Sequence, residues 1–68
     1  MHYHAVLKNA FKLSNSVVGH IYDDKKGRFP DGAQVRTSYV EDIIEEDGKT
    51  YVKTLNTTYL IEGSVARV

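Results

Sequence analysis

The chain has 68 residues and no cysteine, and its nine Lys and Arg residues balance nine Asp and Glu residues. This length permits one domain that buries only about 60% of its unfolded surface, and without cysteine neither disulfides nor thiolate metal sites can add stability. The zero formal net charge argues against bulk electrostatic binding to nucleic acid or to an anionic membrane. We expect a single small β domain over residues 1–68.

The first third of the chain predicts two strands. Residues 6–13 alternate in polarity, and a short helix over residues 5–13 is the alternative, because two apolar residues also stand four apart. Ser14-Asn15 predicts a turn, and residues 16–22 alternate again. Gly19 inside the second strand indicates a bulge, a bend or the close approach of another backbone. The predicted core face of the first strand carries Leu7, Asn9, Phe11 and Leu13.

A polar loop and a tight turn precede the central strand. Residues 23–27 are Asp-Asp-Lys-Lys-Gly, a loop composition. Pro30-Asp31-Gly32 predicts a turn, because proline restricts φ, aspartate bonds its local backbone and glycine accepts positive φ. A strand begins near Val35 and continues to Glu46. Its alternation breaks at Ile43-Ile44, which predicts a bulge or kink there.

The clearest hairpin signal is Asp47-Gly48, which lies between two β-rich runs and predicts a two-residue type I′ turn. A strand over residues 50–55, a turn at Asn56-Thr57, a strand over 58–62 and a final edge at 65–68 follow. The result is an all-β antiparallel meander of five or six strands. We expect it to curl into a small barrel of the Src-homology-3-like or oligonucleotide-binding type, with a half-sandwich completed by dimerisation as the alternative.

Two hydroxyl-rich segments predict a ligand site. The Asp47-Gly48 hairpin connects them, so they are expected to run side by side, and their polar side chains are expected to converge at the barrel end away from this turn. These side chains are Arg36, Ser38, Asn56 and Thr57. Convergent donors with a guanidinium suit an anion, a nucleotide or a peptide carboxylate. Cross-strand hydroxyl pairing with ordinary turn chemistry is the alternative reading.

Charged residues predict two further surfaces. A partner-binding surface is expected on the acidic hairpin and the aromatic residue before it, which are Tyr39, Glu41, Asp42, Glu45, Glu46 and Asp47. An alternative groove for single-stranded nucleic acid combines aromatic rings with basic residues, namely Lys25, Lys26, Arg28 and Arg36. Both groups are also explained as solvated faces of a small domain.

The titratable residues predict neither a metal site nor a catalytic site. His2 and His4 share a face when extended, and imidazoles at that spacing can bind zinc, copper or nickel, but the spacing supplies no third ligand. Asp23, Asp24 and Asp31 flank one loop, and a barrel this small has no room for the apolar pocket that raises a catalytic carboxyl pKa. We therefore expect no cofactor, no bound metal and no enzymatic activity.

Hydropathy predicts a cytoplasmic protein without membrane contact. No apolar run approaches the roughly 20 residues that a spanning helix needs. The first four residues, Met-His-Tyr-His, lack the basic-then-apolar pattern of a signal peptide.

Residues 27–60 are similar to short uncharacterised reading frames carried by bacteriophages, prophages and related mobile elements. The resemblance rests on two patterns, Gly-Arg-Phe-x-Asp-Gly-x-x-Val-x-Thr-Ser-x-Val from Gly27 to Val40 and Lys-Thr-x-Asn-Thr-x-Tyr-Leu from Lys53 to Leu60. It implies no activity for any residue. What it implies is a setting: a phage-type accessory protein in the host cytoplasm, of the size typical of inhibitors of host or defence machinery.

Three functions are consistent with these patterns. The first is a non-enzymatic protein-binding module or inhibitor of a bacterial host or defence factor. The second is an oligomer, at smallest a homodimer, that sequesters a small ligand or nucleotide at a subunit interface. The third is a small barrel that binds single-stranded nucleic acid, with an affinity that depends on salt. We expect the first, with a bacterial protein as the partner.

Overall fold

The structure, a computed structural model, describes residues 1–63, which form one six-stranded sheet. The strands are β1 (Ala5–Leu13), β2 (Ser16–Tyr22), β3 (Gln34–Arg36), β4 (Val40–Glu46), β5 (Lys49–Thr54) and β6 (Thr58–Glu62). Their order across the sheet is β3-β2-β1-β6-β5-β4. The predicted all-β class is confirmed, and residues 5–13 are a strand rather than a helix.

The sheet is mixed, which corrects the predicted antiparallel meander. β1 and β6 pair in parallel, from Ala5 opposite Tyr59 to Lys8 opposite Glu62, whereas every other neighbouring pair is antiparallel. A parallel pair requires a long connection. Here that connection contains β2 to β5, so no local turn signal predicts the pairing.

The sheet is curled but not closed, which corrects the predicted barrel. β3 and β4 are its two edge strands. A backbone hydrogen bond from Val40 N to Asn15 O (2.7 Å) ties the start of β4 to the β1–β2 turn. The described residues span 25 × 25 × 22 Å, so the curling brings opposite parts of the sheet close without a continuous ladder between β3 and β4.

A bulge in β1 changes which side chains face the core. The register of β1 against β2 shifts around Asn9, which has φ 53°. One extra residue in a strand turns each later side chain to the opposite face. Ala10 is therefore buried, whereas Asn9 and Leu13 are exposed. The predicted core face is right at Leu7 and wrong beyond the bulge.

Gly19 lies against this bulge. A Cβ atom added to Gly19 would stand 3.2 Å from Lys8 O and 3.3 Å from the Cα and Cβ atoms of Ala10. Of the three alternatives predicted at this glycine, the close approach of another backbone is confirmed.

The core is an apolar cluster built from five of the strands. Its members are Ala5, Leu7, Ala10, Val17, Ile21, Val35, Val52, Tyr59 and Ile61. Ala33 and Val40 are partly buried against it. Because Val40 contacts this core, the start of β4 has a fixed position.

The predicted turns are present. Asp47 and Gly48 both have positive φ, 53° and 74°, as a type I′ turn requires. Pro30 O accepts a hydrogen bond from Ala33 N at 3.2 Å, and Gly32 has φ 87°. These two turns depend on the backbone freedom of a few residues, which explains why the sequence alone predicts them.

The single strand predicted from Val35 to Glu46 is wrong, because this run is divided into β3 and β4, which lie at opposite edges of the sheet. Within it, β4 contains the bulge that the broken alternation predicted, but two residues earlier. The register against β5 shifts between Val40 and Asp42, and Ile43 and Ile44 pair regularly with β5. The final edge expected at residues 65–68 lies outside the described residues.

Candidate functional site

β4 is an edge strand whose outer side presents backbone hydrogen-bonding groups. Glu46 and Lys49 close the two-residue hairpin, and the closing pair of such a hairpin is hydrogen-bonded. Alternate residues along β4, Glu45 and Ile43, therefore direct N–H and C=O groups away from β5. Edge groups of this kind can pair with another strand.

Exposed carboxylates surround this edge. They are Glu41, Asp42, Glu45, Glu46 and Asp47, all on the acidic hairpin expected from the sequence. Lys53 lies opposite Asp42 and Lys49 lies opposite Glu46 on β5. Residues 41–54 thus carry five carboxylates against two ammonium groups, a formal charge of −3. The hairpin favours a positively charged partner.

The outward amide of Val40 is already bonded to Asn15 O, so the free edge begins after Val40. Two further contacts change the charge of the remaining edge and the accessibility of its amides. Asp42 Oδ1 accepts a hydrogen bond from Ile43 N at 2.9 Å, which caps one of the outward amides. The Met1 amino group donates to Glu46 Oε1, also at 2.9 Å. Charged side chains and bulges commonly protect sheet edges in this way. Glu45 therefore presents the outward amide that lies between these two contacts.

Three exposed apolar side chains lie around the start of β4, and we call them the apolar patch: Leu13, Tyr39 and Leu55. Tyr39 precedes Val40 and is 66% exposed, and Leu55 follows Thr54, which pairs with Val40, and is 75% exposed. Leu13 is 45% exposed and precedes the β1–β2 turn that is hydrogen-bonded to Val40. The patch adjoins one end of the acidic edge.

Thr37 orders the loop that presents Tyr39. Buried Thr37 donates its N–H to Val17 O (2.8 Å), and its Oγ1 accepts from Val17 N (3.0 Å) and donates to Ser38 O (2.9 Å). Two of these bonds join Thr37 to β2, so Tyr39 projects from an anchored backbone. Sequence reasoning missed this role, because threonine in a β-rich run is expected whether or not its hydroxyl is used.

The four residues of the predicted ligand site lie on β3, in the β3–β4 loop and in the β5–β6 turn. Arg36 pairs with Val18 at the β3 edge, and Ser38 lies in the β3–β4 loop. Asn56 and Thr57 form the β5–β6 turn, where the Lys26 ammonium donates to Asn56 O and to Thr57 Oγ1 (2.9 Å). Strands β2 and β1 separate β3 from β6 in the sheet. The polar contacts of the turn therefore join it to the 23–33 loop.

Three of the four basic residues proposed for nucleic acid, Lys25, Lys26 and Arg28, already have partners within the chain. Lys25 Nζ lies 4.3 Å from the centre of the Tyr3 ring, and Arg28 Nε lies 3.5 Å from Asp24 Oδ2. Burial lowers the pKa of the Arg28 guanidinium, but its hydrogen bonds and charge interactions with Tyr59 and Asp24 raise that pKa overall. These contacts compete with the phosphate contacts that a nucleic-acid site requires.

Asp24 organises the loop between β2 and β3. Its side chain is 1% exposed and accepts from the backbone N–H groups of Lys26 (3.1 Å), Arg28 (2.9 Å) and Phe29 (3.2 Å). Burial raises the pKa of Asp24, but the bonds from Arg28 and Lys26 and the Arg28 charge outweigh it, so the pKa lies below its ordinary value. This carboxylate has a structural role.

Two histidines differ in their surroundings. His4 Nδ1 accepts from Thr58 N at 2.9 Å, and His4 N donates to Thr58 O at 2.7 Å, which ties the segment before β1 to β6. One ring nitrogen of His4 is thus occupied. His20 Nδ1 is buried and has no hydrogen-bond partner in the described part of the chain. Within residues 1–63, no three His, Cys, Asp or Glu side chains are grouped to hold a metal ion.

No family model matches the chain, and no curated protein or solved structure matches it either. In the part of the chain that the structure describes, no helix is long and apolar enough to cross a membrane.

Proposed function

We propose that this chain is a non-enzymatic protein-binding module in which the β4 edge pairs with an extended, basic segment of a partner protein. The supporting observation is that outward backbone groups and exposed carboxylates coincide on β4. When a segment adds to a sheet edge, main-chain hydrogen bonds supply affinity and the flanking side chains supply specificity. Ile43, 42% exposed, adds an apolar contact to this edge.

The charges of β4 also disfavour pairing with a second copy of the chain. Two β4 strands paired edge to edge would bring the carboxylates of one copy close to those of the other, and like charges directly opposite are destabilising. A lysine- or arginine-bearing strand forms favourable pairs with the same residues. Repulsion of the wrong partner and attraction of the right one thus come from the same side chains.

The resemblance to phage and prophage reading frames supports the choice of a bacterial host or defence factor as the partner. Occupation of a basic segment of such a protein would block its other contacts, so inhibition needs no chemistry on the part of this chain. The proposed role is that of an inhibitor by occlusion.

Reversal of charge at Glu45 is expected to weaken partner binding at least about tenfold, because a lysine there repels a basic segment. The measurement is recovery of bacterial proteins on the immobilised chain and on Glu45→Lys. Glu62→Lys is the matched control, since Glu62 is exposed on β6 and the substitution changes the net charge equally. Equal recovery by Glu45→Lys and the unmodified chain contradicts the proposal.

Removal of the cap on the edge is expected to strengthen strand addition. Asp42→Ala deletes the acceptor of the Ile43 amide, whereas Asp42→Asn removes the same charge but keeps an oxygen acceptor. One backbone hydrogen bond of about 0.5–1.5 kcal/mol corresponds to a roughly two- to tenfold higher association constant for the alanine variant. Sedimentation of each variant, alone and mixed with the partner, measures its association constant. Equal association constants for Asp42→Ala and Asp42→Asn argue against an accessible edge at Ile43.

A further inference from the structure

We infer that the apolar patch binds a large apolar side chain that follows the basic residues of the same partner segment. This inference rests on the proposed function of the β4 edge and adds to it a position and a chemistry for a second recognition element. The partner segment is then a basic strand followed, on its carboxyl-terminal side, by an aliphatic or aromatic residue.

The direction of the added strand places the apolar residue after the basic ones. β4 runs from the apolar patch towards the Asp47-Gly48 turn and already pairs antiparallel with β5. Antiparallel pairs outnumber parallel pairs about two- to threefold. A segment that pairs antiparallel with β4 passes Glu45 first and then Ile43. The free edge ends there, because the β1–β2 turn holds the Val40 amide through Asn15 O. The next residues of the segment therefore leave the edge beside this turn, next to Leu13 and Tyr39.

The patch has the properties of an anchor site. Its three large apolar side chains come from three parts of the chain that meet at Val40, and each is close to half exposed or more. Exposed apolar side chains grouped in this way on a small protein commonly mark an interaction site. Tyr39 projects from the loop that Thr37 anchors, so little conformational freedom is lost when a ligand binds. Tyrosine is also enriched among the residues that dominate binding energies.

Charge complementarity selects the occupant. The acidic edge lies directly beyond the apolar patch, so a purely apolar ligand that extended along β4 would leave the carboxylates of Glu45 and its neighbours without a partner. A segment with lysines or arginines along β4 and an apolar side chain at Tyr39 satisfies both surfaces at once. This combination distinguishes the partner from an ordinary basic peptide.

Synthetic peptides test the inference directly. The first peptide has lysine at alternate positions among valines and carries Leu-Trp at its carboxyl terminus. The second has Ser-Ser in place of Leu-Trp. The third has the same lysine and valine residues but carries Leu-Trp at its amino terminus. Calorimetric titration against the full chain is expected to show that the first binds at least about tenfold more tightly than either of the others. This advantage is expected to disappear in Tyr39→Ser and in Leu55→Ser. It is expected to persist in Phe29→Ser, which removes an exposed aromatic ring from the 23–33 loop.

The outcomes separate this inference from the proposed function. If the first two peptides bind equally and both are weakened by Glu45→Lys, the β4 edge binds basic segments and the role of the apolar patch is overturned. Equal binding of the first and third peptides overturns the antiparallel placement. If none of the peptides binds, both proposals are overturned. A cooperative thermal unfolding transition establishes that each variant is folded. If Tyr39→Ser does not fold, Leu55→Ser tests the role of the apolar patch in its place.

Discussion

Replacement of Asp24 by alanine is expected to lower the free energy of unfolding by about 2–4 kcal/mol, because three backbone amides lose a buried, charged acceptor. A domain of this size has a total stability of only about 3–10 kcal/mol. Urea denaturation measures the change. Asp47→Asn is the control, since asparagine also suits a type I′ turn and little change is expected there. A loss below about 0.5 kcal/mol in Asp24→Ala contradicts the role given to this carboxylate.

The same carboxylate predicts a pH dependence. The pKa of Asp24 is lowered in the folded chain, so the folded state favours the ionised form. Its stabilisation is complete above the unfolded pKa of about 3.9 and is lost as the pH falls through the folded pKa. The stability difference between the unmodified chain and Asp24→Asn is therefore expected to shrink below about pH 4. A difference that stays constant from neutral pH into this acidic range contradicts the prediction.

Substitution of Gly19 by alanine is expected to destabilise the fold by about 1–3 kcal/mol, because the new methyl group meets backbone rather than a flexible side chain. Its neighbours are Lys8 O and the Cα and Cβ atoms of Ala10, all within 3.3 Å of the added carbon. The bulged backbone of β1 must move to accommodate it. Chemical denaturation again gives the magnitude.

A double-mutant cycle tests the cause. Ala10→Gly removes one of the atoms that crowd the new methyl group, so the pair Gly19→Ala/Ala10→Gly is expected to be less destabilised than the sum of the two single changes. Val18→Ala, at the neighbouring position of β2 on the other face, is expected to add independently to Gly19→Ala. Strict additivity in the first pair would show that crowding against Ala10 is not the reason.

The candidate site was partly predictable. Exposed carboxylates beside a type I′ turn follow from the Asp47-Gly48 signal and the acidic run before it, because charged residues next to such a turn rarely enter a core. The position of β4 at the sheet edge does not follow from that signal. Leu55 and Leu13 were not identified either, since apolar residues at predicted strand ends are ordinarily assigned to the core. Their exposure follows from the β1 bulge and from the β5–β6 turn.

Local conformational preference determined the tight turns and most of the strands of this chain from its sequence. β-Branched and aromatic runs form the strands, and the residues of the Asp47-Gly48 and Pro30-Asp31-Gly32 turns adopt the backbone angles that those turns require. The division of the run from Val35 to Glu46 between β3 and β4 was not predicted. Tertiary structure alone decided the parallel pairing of β1 with β6, the bulge at Asn9 and the burial of Asp24. Each of these depends on groups distant in sequence or on a whole loop, whose contacts form only when the core closes. The acidic residues were therefore predictable, whereas their place on an unpaired edge beside an apolar patch was not.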